Sequence, residues 1–210
     1  MPVTPPQHQT STGVRRRDRQ REETRRDLSV AALDLALTRG LRNVRVPDIA
    51  EVAGVSTRTF NNYFSSEEAA IVWPARVRTA RMAADLLGRP DDEALGDALI
   101  ATVIGRYGGP EQQGVPRGWL RRFRPLVATE PGLHGEYLKA TSDGEQALAE
   151  AIAHRAGSSL NGLGCRVLAA MVLGAERAAV MHWIAGGEQR GALVDDVRAA
   201  VQLALAGVPR

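Results

Sequence analysis

The sequence predicts an all-α fold, and three observations carry that prediction. Apolar residues recur at spacings of three and four, first over Leu28, Ala32, Leu35 and Ala36 and again over Val167, Met171, Gly174, Ala178 and Met181. No run of residues alternates apolar with polar in the period of two that a half-buried strand requires. Gly and Pro fall between the periodic stretches rather than inside most of them, as helix boundaries do. The expected architecture is an N-terminal three-helix unit of the helix-turn-helix type followed by a larger helical domain, about nine helices in all.

Taken in chain order, residues 1–20 (MPVTPPQHQTSTGVRRRDRQ) are rich in Pro, Gln and Thr and then basic, the composition of a mobile arm. Residues 21–66 should hold the three-helix unit and residues 67–210 the larger domain. The first helix should begin near Glu22 and stop at Gly40. Within Ile49–Phe64, reading IAEVAGVSTRTFNNYF, Ile49, Ala50 and Ala53 share one face, and Gly54 then permits the left-handed backbone of a tight turn. Val55 fills the corner. Ser56 can accept from the free amides of a following helix, which Phe60 and Phe64, four apart, would anchor. That leaves Thr57, Arg58, Asn61 and Asn62 on the outer edge, where a recognition helix meets bases in the major groove of DNA. Ser65 and Glu68 have the spacing of a capping box, opening a helix to about Leu87 that Pro74 should bend. After Gly88-Arg89-Pro90, helices are expected near 91–107, 117–129, 132–156, 162–185 and 192–206, with residues 108–116 the loosest segment.

The stretch from about Arg21 to Ala70 resembles the DNA-binding domain of the tetracycline-repressor (TetR) family of bacterial regulators. The resemblance rests on Ile49, Ala50, Ala53, Gly54, Val55, Ser56, Thr59, Phe60, Tyr63, Phe64, Ser66 and Glu68. Three departures bear on DNA contact. The family's capping Thr is replaced by Val46 followed by Pro47, the Tyr after Phe60 by Asn61, and a Lys by Glu67. Pro47 still suits a first helical turn, Asn61 can bond adenine in two places, and Glu67 favours a helix start while repelling a phosphate. Phosphate contacts are therefore expected from Arg45 and from the arm arginines Arg15, Arg16, Arg17 and Arg19, with Thr59 and Tyr63. Base reading falls to Thr57, Arg58, Asn61 and Asn62.

The resemblance implies a homodimer, because one reading helix covers a half-site and family members pair their last two helices. That role falls here on residues 162–206, with Val194, Val197, Val201, Ala204 and Val208 forming a second stripe beside the Val167–Met181 one. It also implies a small-molecule effector between the bent fourth helix and those after it, with Trp119, Phe123, Tyr137, Met171, Glu176 and Trp183 as candidate lining residues. The stretch RGWLRRFRPLVATEPGL followed by EYL is similar to members that take acyl-CoA-like ligands. Arg121, Arg122 and Arg124 within it read as a solvated basic face, with contact to an anionic ligand as the alternative. The implied function is a regulator, a repressor, that binds a palindromic operator and is released by an inducer. The alternative is an architectural DNA-binding protein with no effector.

Composition narrows the rest. With 24% charged and 44% hydrophobic residues and a net charge of +3, the chain is ordinary for a globular protein, and its arginines cluster before residue 30, which suits a polyanion. Cys165 is the lone cysteine, and no charged-then-apolar leader opens the chain, so a cytoplasmic location is expected. The apolar stretch near 163–185 is interrupted by Arg166, Glu176, Arg177 and His182 and reads as a buried helix rather than a membrane span. His8, His134, His154 and His182 are dispersed, and neither a metal-binding nor a nucleophile motif is present. No enzymatic activity and no cofactor are expected.

Overall fold

The computed structural model describes residues 10–107, 118–186 and 192–206, the first six of these and Ser158 in their backbone alone. Among the described residues there are nine α-helices and no strand. They are α1 (Thr10–Arg39), α2 (Val46–Val52), α3 (Thr57–Asn61), α4 (Glu67–Leu87), α5 (Leu95–Gly105), α6 (Trp119–Thr129), α7 (Pro131–Ala156), α8 (Gly162–Ala185) and α9 (Leu193–Ala206). The chain forms two compact units, Met1–Ile71 and Val72–Arg210. Residues 1–9 of the predicted arm, the segment 108–117 and Val208 lie outside the described residues.

In the first unit α1 differs from expectation at its start. It reaches back to Thr10, through the basic stretch expected to be an arm, instead of beginning near Glu22. Arg, Gln and Glu are good helix formers, and from Val14 to Arg39 nothing interrupts the helix. Leu28, Ala32, Leu35 and Ala36 of α1 are buried with Ile49, Phe60 and Phe64 in the core of this unit. The buried Ser29 hydroxyl donates to the Ala70 carbonyl at 2.8 Å, so its polar group is satisfied. Gly40, at φ 80, ends α1 in a conformation that a side chain would strain.

The cap of α4 also differs by one residue. Ser66, not Ser65, accepts from the Ala69 amide at 3.1 Å, so the residue three beyond the cap is Ala69 and the capping box is not made. Glu67 and Glu68 instead place negative charge in the first turn.

The second unit packs α4, α5, α7, α8 and α9 around one core. Met82 and Leu86 of α4, Leu99 and Val103 of α5, Leu148 and Ile152 of α7, and Ala169 and Val172 of α8 are fully enclosed. Each buried Leu or Ile contributes about 1.5–3 kcal/mol to folding. Close approach of α4 and α7 depends on Gly144, because a Cβ there would sit 2.0 Å from Thr79 Cγ2 and 2.9 Å from Thr79 Cβ. Arg155 near the end of α7 ties the turn after α4. Its Nη1 donates to the carbonyls of Leu86 (3.4 Å) and Arg89 (2.9 Å), and its Nη2 to those of Pro90 (2.8 Å) and Glu93 (3.2 Å). Asn161 caps α8, its Oδ1 accepting from the Gly164 amide at 2.7 Å.

The two predicted apolar stripes part company. On α9, Val197 and Val201 belong to the intramolecular core, which corrects their assignment to the subunit-pairing stripe. Neighbours on α5 and α8 cover it, so the period identified a buried face without saying what buried it. On α8 the outer face is apolar and open: Leu163 is 72% exposed, Val167 47%, Met171 40% and Met181 43%. By length and hydropathy α8 would pass as a membrane span, yet its inner side is built into this core.

Candidate functional site

The α2–α3 corner is made by backbone first. The Gly54 amide donates to the Glu51 carbonyl at 3.0 Å and the Val55 amide to the Ala50 carbonyl at 2.9 Å, with Gly54 at φ 68. Ser56 then caps α3, its Oγ accepting from the Thr59 amide at 3.1 Å while the two hydroxyls share a bond of 2.9 Å. Phe60 and Phe64, with ring centroids 5.7 Å apart, bury the inner edge. Thr57, Arg58, Asn61 and Asn62 are all exposed on the outer edge, so the base-reading candidates share one accessible rim.

Other predicted contact residues are less free. Thr59 is half-buried with its hydroxyl engaged by Ser56. Tyr63 is half-buried, and the Arg25 guanidinium of α1 lies 5.7 Å from its ring centroid. Arg45 is exposed, but its Nη1 donates at 2.9 Å to the carbonyls of Arg42 and Val44, folding the side chain onto its own loop. Arg16, Arg17 and Arg19 are exposed on α1. Arg15 is helical in its backbone and its side chain is outside the described residues.

The second unit holds a partly open cavity of about 70 Å³. Trp119, Phe123, Tyr137 and Glu176 stand in its wall. Met171 and Trp183 do not. The inner face of α8 is set by Leu173, Glu176 and Val180; two residues from Leu173 is about 200° around a helix, which turns Met171 to the outside. Trp183 is half-buried beneath Arg121, whose guanidinium carbon lies 3.4 Å from the ring centroid.

The wall also holds cations that the sequence pattern did not single out. Arg78 is 6% exposed, Arg106 7% and Arg124 8%. Arg124, expected on a solvated face, instead bonds the Tyr137 hydroxyl and lies 4.9 Å from that ring's centroid. The available signal was positional. Arg78 occupies a step of the buried stripe Ile71, Ala75, Arg78, Met82, Leu86, and Arg106 continues Leu99 and Val103. A charged residue on a buried stripe requires partners.

Several partners surround these cations. Arg106 Nη1 sits 3.5 Å from Glu176 Oε1 and donates to Met82 Sδ at 2.9 Å, and its Nη2 donates to Thr79 Oγ1 at 3.2 Å. The Tyr107 hydroxyl donates to Glu176 Oε1. Burial alone would raise the Glu176 carboxyl, but the Arg106 charge, the Tyr107 hydroxyl and the Arg78 and Arg124 charges outweigh it and hold it below the usual range. Burial, and then the Arg106 charge, lower Arg78. Burial, and then the Glu176 charge, push the Tyr107 phenol up, so it stays a donor. Among the described residues no group of three or more His, Cys, Asp or Glu side chains could hold a metal ion.

The family model for bacterial regulatory proteins of the tetR family matches residues 28–69, and the model for the MftR C-terminal domain matches residues 93–209. The chain is 35% identical to the HTH-type transcriptional regulator TcmR of Streptomyces glaucescens over 162 residues, covering 75% of this chain and 71% of TcmR. It is 26% identical over 193 residues to the regulator MftR of Mycobacterium tuberculosis, covering 91% and 94%. Among solved structures, the TetR-family repressor FadR of Thermus thermophilus, in complex with lauroyl-CoA, superposes with a TM-score of 0.56 at 20% identity, over 89% of this chain and 95% of that one.

Proposed function

Because the chain belongs to the TetR family of bacterial regulatory proteins, we propose that it is a transcriptional repressor that binds a palindromic operator as a homodimer and lets go when a small molecule fills the second unit. One observation carries the DNA half of this reading: Thr57, Arg58 and Asn61 of α3 and Asn62 at its C-cap form a single exposed polar rim, opposite the buried Phe60. Arg58 suits the O6 and N7 of guanine, the two asparagines suit adenine, and the Thr57 methyl suits a thymine. Arg15, Arg16, Arg17, Arg45, Thr59 and Tyr63 act as backbone contacts, which position the protein and weaken with salt.

The open apolar face of α8, with the exposed Leu203 of α9, supports dimerisation through residues 162–206. Two chains related by a two-fold axis would present two rims one DNA turn, roughly 34 Å, apart. Location in the cytoplasm follows from that partner. The cavity supports an effector and so favours a sensing regulator over an architectural protein. An acyl-CoA-like effector is supported by the fold shared with lauroyl-CoA-bound FadR, though the wall here is charged where an acyl chain would want apolar surface.

Fluorescence anisotropy with labelled fragments from either side of its own gene tests the reading, with sedimentation of the complex. The expected result is saturable, salt-sensitive binding to one palindrome with an even number of chains. Equal affinity for operator and random DNA, or a single chain on the target, would defeat it.

A further inference from the structure

We propose that the cavity of the second unit receives a compact oxyanion, the carboxylate or an equivalent anionic head of the effector, through Arg78 and Arg124. This rests on the proposed ligand-responsive function and narrows it to a class of ligand. The wall carries Arg78, Arg106, Arg124 and Arg177 against Glu145 and Glu176, an excess of two positive charges. Arg106 faces Glu176 at 3.5 Å, and Arg177 and Glu145 bring one charge of each sign. The surplus is therefore centred on Arg78 and Arg124, which share with Arg106 the single Glu176 charge and are both more than nine-tenths buried.

Neither has a carboxylate of its own within ion-pair distance among the described residues. Arg78 lies between two rings, 5.1 Å from the Tyr107 centroid and 5.6 Å from that of Trp119, and its Nε has no hydrogen-bond partner among the described residues. Arg124 is held by the Tyr137 ring and hydroxyl. Ring faces attract a cation but do not replace the hydration it lost on burial. An anion entering the cavity supplies the missing counter-charge, which a neutral molecule of the same shape cannot. Volume sets the limit on what enters. About 70 Å³ is well below the roughly 150 Å³ of an engineered cavity that admits benzene. It accommodates a head group, with the remainder of the effector beyond it.

The test is a thermal-shift titration of the full chain, without DNA, using butyrate and benzoate beside their uncharged amides, butyramide and benzamide, and lauroyl-CoA. A ligand that binds only the folded state raises the melting temperature saturably. The acids should do so and the amides should not. Arg78→Gln and Arg124→Gln should each weaken acid binding at least about tenfold, the loss of one charge-assisted contact, while Arg78→Lys keeps part of the response. Relief of the surplus charge should leave the unliganded variants melting no lower than the wild type, which separates a lost site from a lost fold. A response confined to lauroyl-CoA but abolished in both Gln variants assigns the anion to the coenzyme rather than to a free acid. Amides that bind as well as acids, Gln variants that respond like the wild type, or a protein unmoved by every probe overturn the proposal. No arm contains DNA, so such failure leaves operator binding standing. Conversely, anion binding that releases no operator in the anisotropy assay removes the inducer role and leaves the anion site intact.

Discussion

Replacing Gly144 by Ala should destabilise the second unit although the same change elsewhere in α7 should help it. In a helix interior Ala is favoured over Gly by about 1 kcal/mol. Gly135, also in α7, is the position where nothing opposes that gain, since a Cβ there meets no atom within 4 Å. At Gly144 the new atom would stand 2.0 Å from Thr79 Cγ2, 2.9 Å from Thr79 Cβ and 3.4 Å from the Thr79 carbonyl carbon. Rotating Thr79 removes only the first of these contacts. It would also disturb the Thr79 hydroxyl, which donates to the Ala75 carbonyl at 2.9 Å and accepts from Arg106. The helices must therefore separate, at the upper end of the usual overpacking range of about 1–3 kcal/mol. Subtracting the propensity gain leaves a net loss of about 2 kcal/mol, or about 4–8 °C in melting temperature for a domain of this size. Circular dichroism melts of Gly144→Ala, Gly135→Ala and the double variant Gly144→Ala with Thr79→Ser, at one protein concentration, decide the matter. Gly135→Ala should melt slightly higher than the wild type, and the double variant, having shed the clashing methyl, should recover part of the loss. If Gly144→Ala melts as high as Gly135→Ala, the close approach of α4 and α7 is not what Gly144 provides.

Arg155→Met removes a cation that serves four carbonyls and should cost about 1.5–3 kcal/mol, seen in urea unfolding and in faster hydrogen exchange over residues 86–93. Glu176 is depressed in the fold relative to its ordinary value of 4.5, so its contribution is fully present above that pH and fades as the solution is acidified through the folded value. Glu176→Gln should accordingly lower stability near pH 7 by about 3–5 kcal/mol, since three arginines lose their shared counter-charge. The gap between the two proteins should shrink on acidification below pH 4.5 in parallel melts. Arg58→Ala should cost about 1–3 kcal/mol at one operator position and relax discrimination there; equal weakening on operator and random DNA, measured by anisotropy, would assign Arg58 to the phosphate backbone instead.

The helices were legible because their signals are local: period, Gly and Pro punctuation, and the Ser56 cap all act within one turn of the chain. The outer rim of α3 was legible for the same reason, as the face opposite Phe60 and Phe64. What buries a stripe is not local. Val197 and Val201 carry the same period whether a neighbour in the same chain or a second copy covers them, and only the fold shows that α5 and α8 do. The buried arginines were hidden because arginine is ordinarily a surface residue. Arg78 and Arg106 sit in step with apolar residues, and their partners Tyr107, Trp119 and Glu176 arrive from distant parts of the chain. The first turn of α4 was misplaced because Ser65 and Ser66 are chemically alike, and one residue of register decides which hydroxyl meets an amide.

Arg45 carries a last consequence. A long flexible cation that docks on a polyanion ordinarily surrenders rotamer freedom at the moment of docking, about 0.5–1.5 kcal/mol for such a side chain. Arg45 has surrendered it beforehand, with one end of its guanidinium pinned by the carbonyls of Arg42 and Val44 and the rest facing water. It is a stiff prong, and a lysine there would spend two of its three N–H donors on the same two carbonyls, where arginine keeps the donors of its other two nitrogens for an anion.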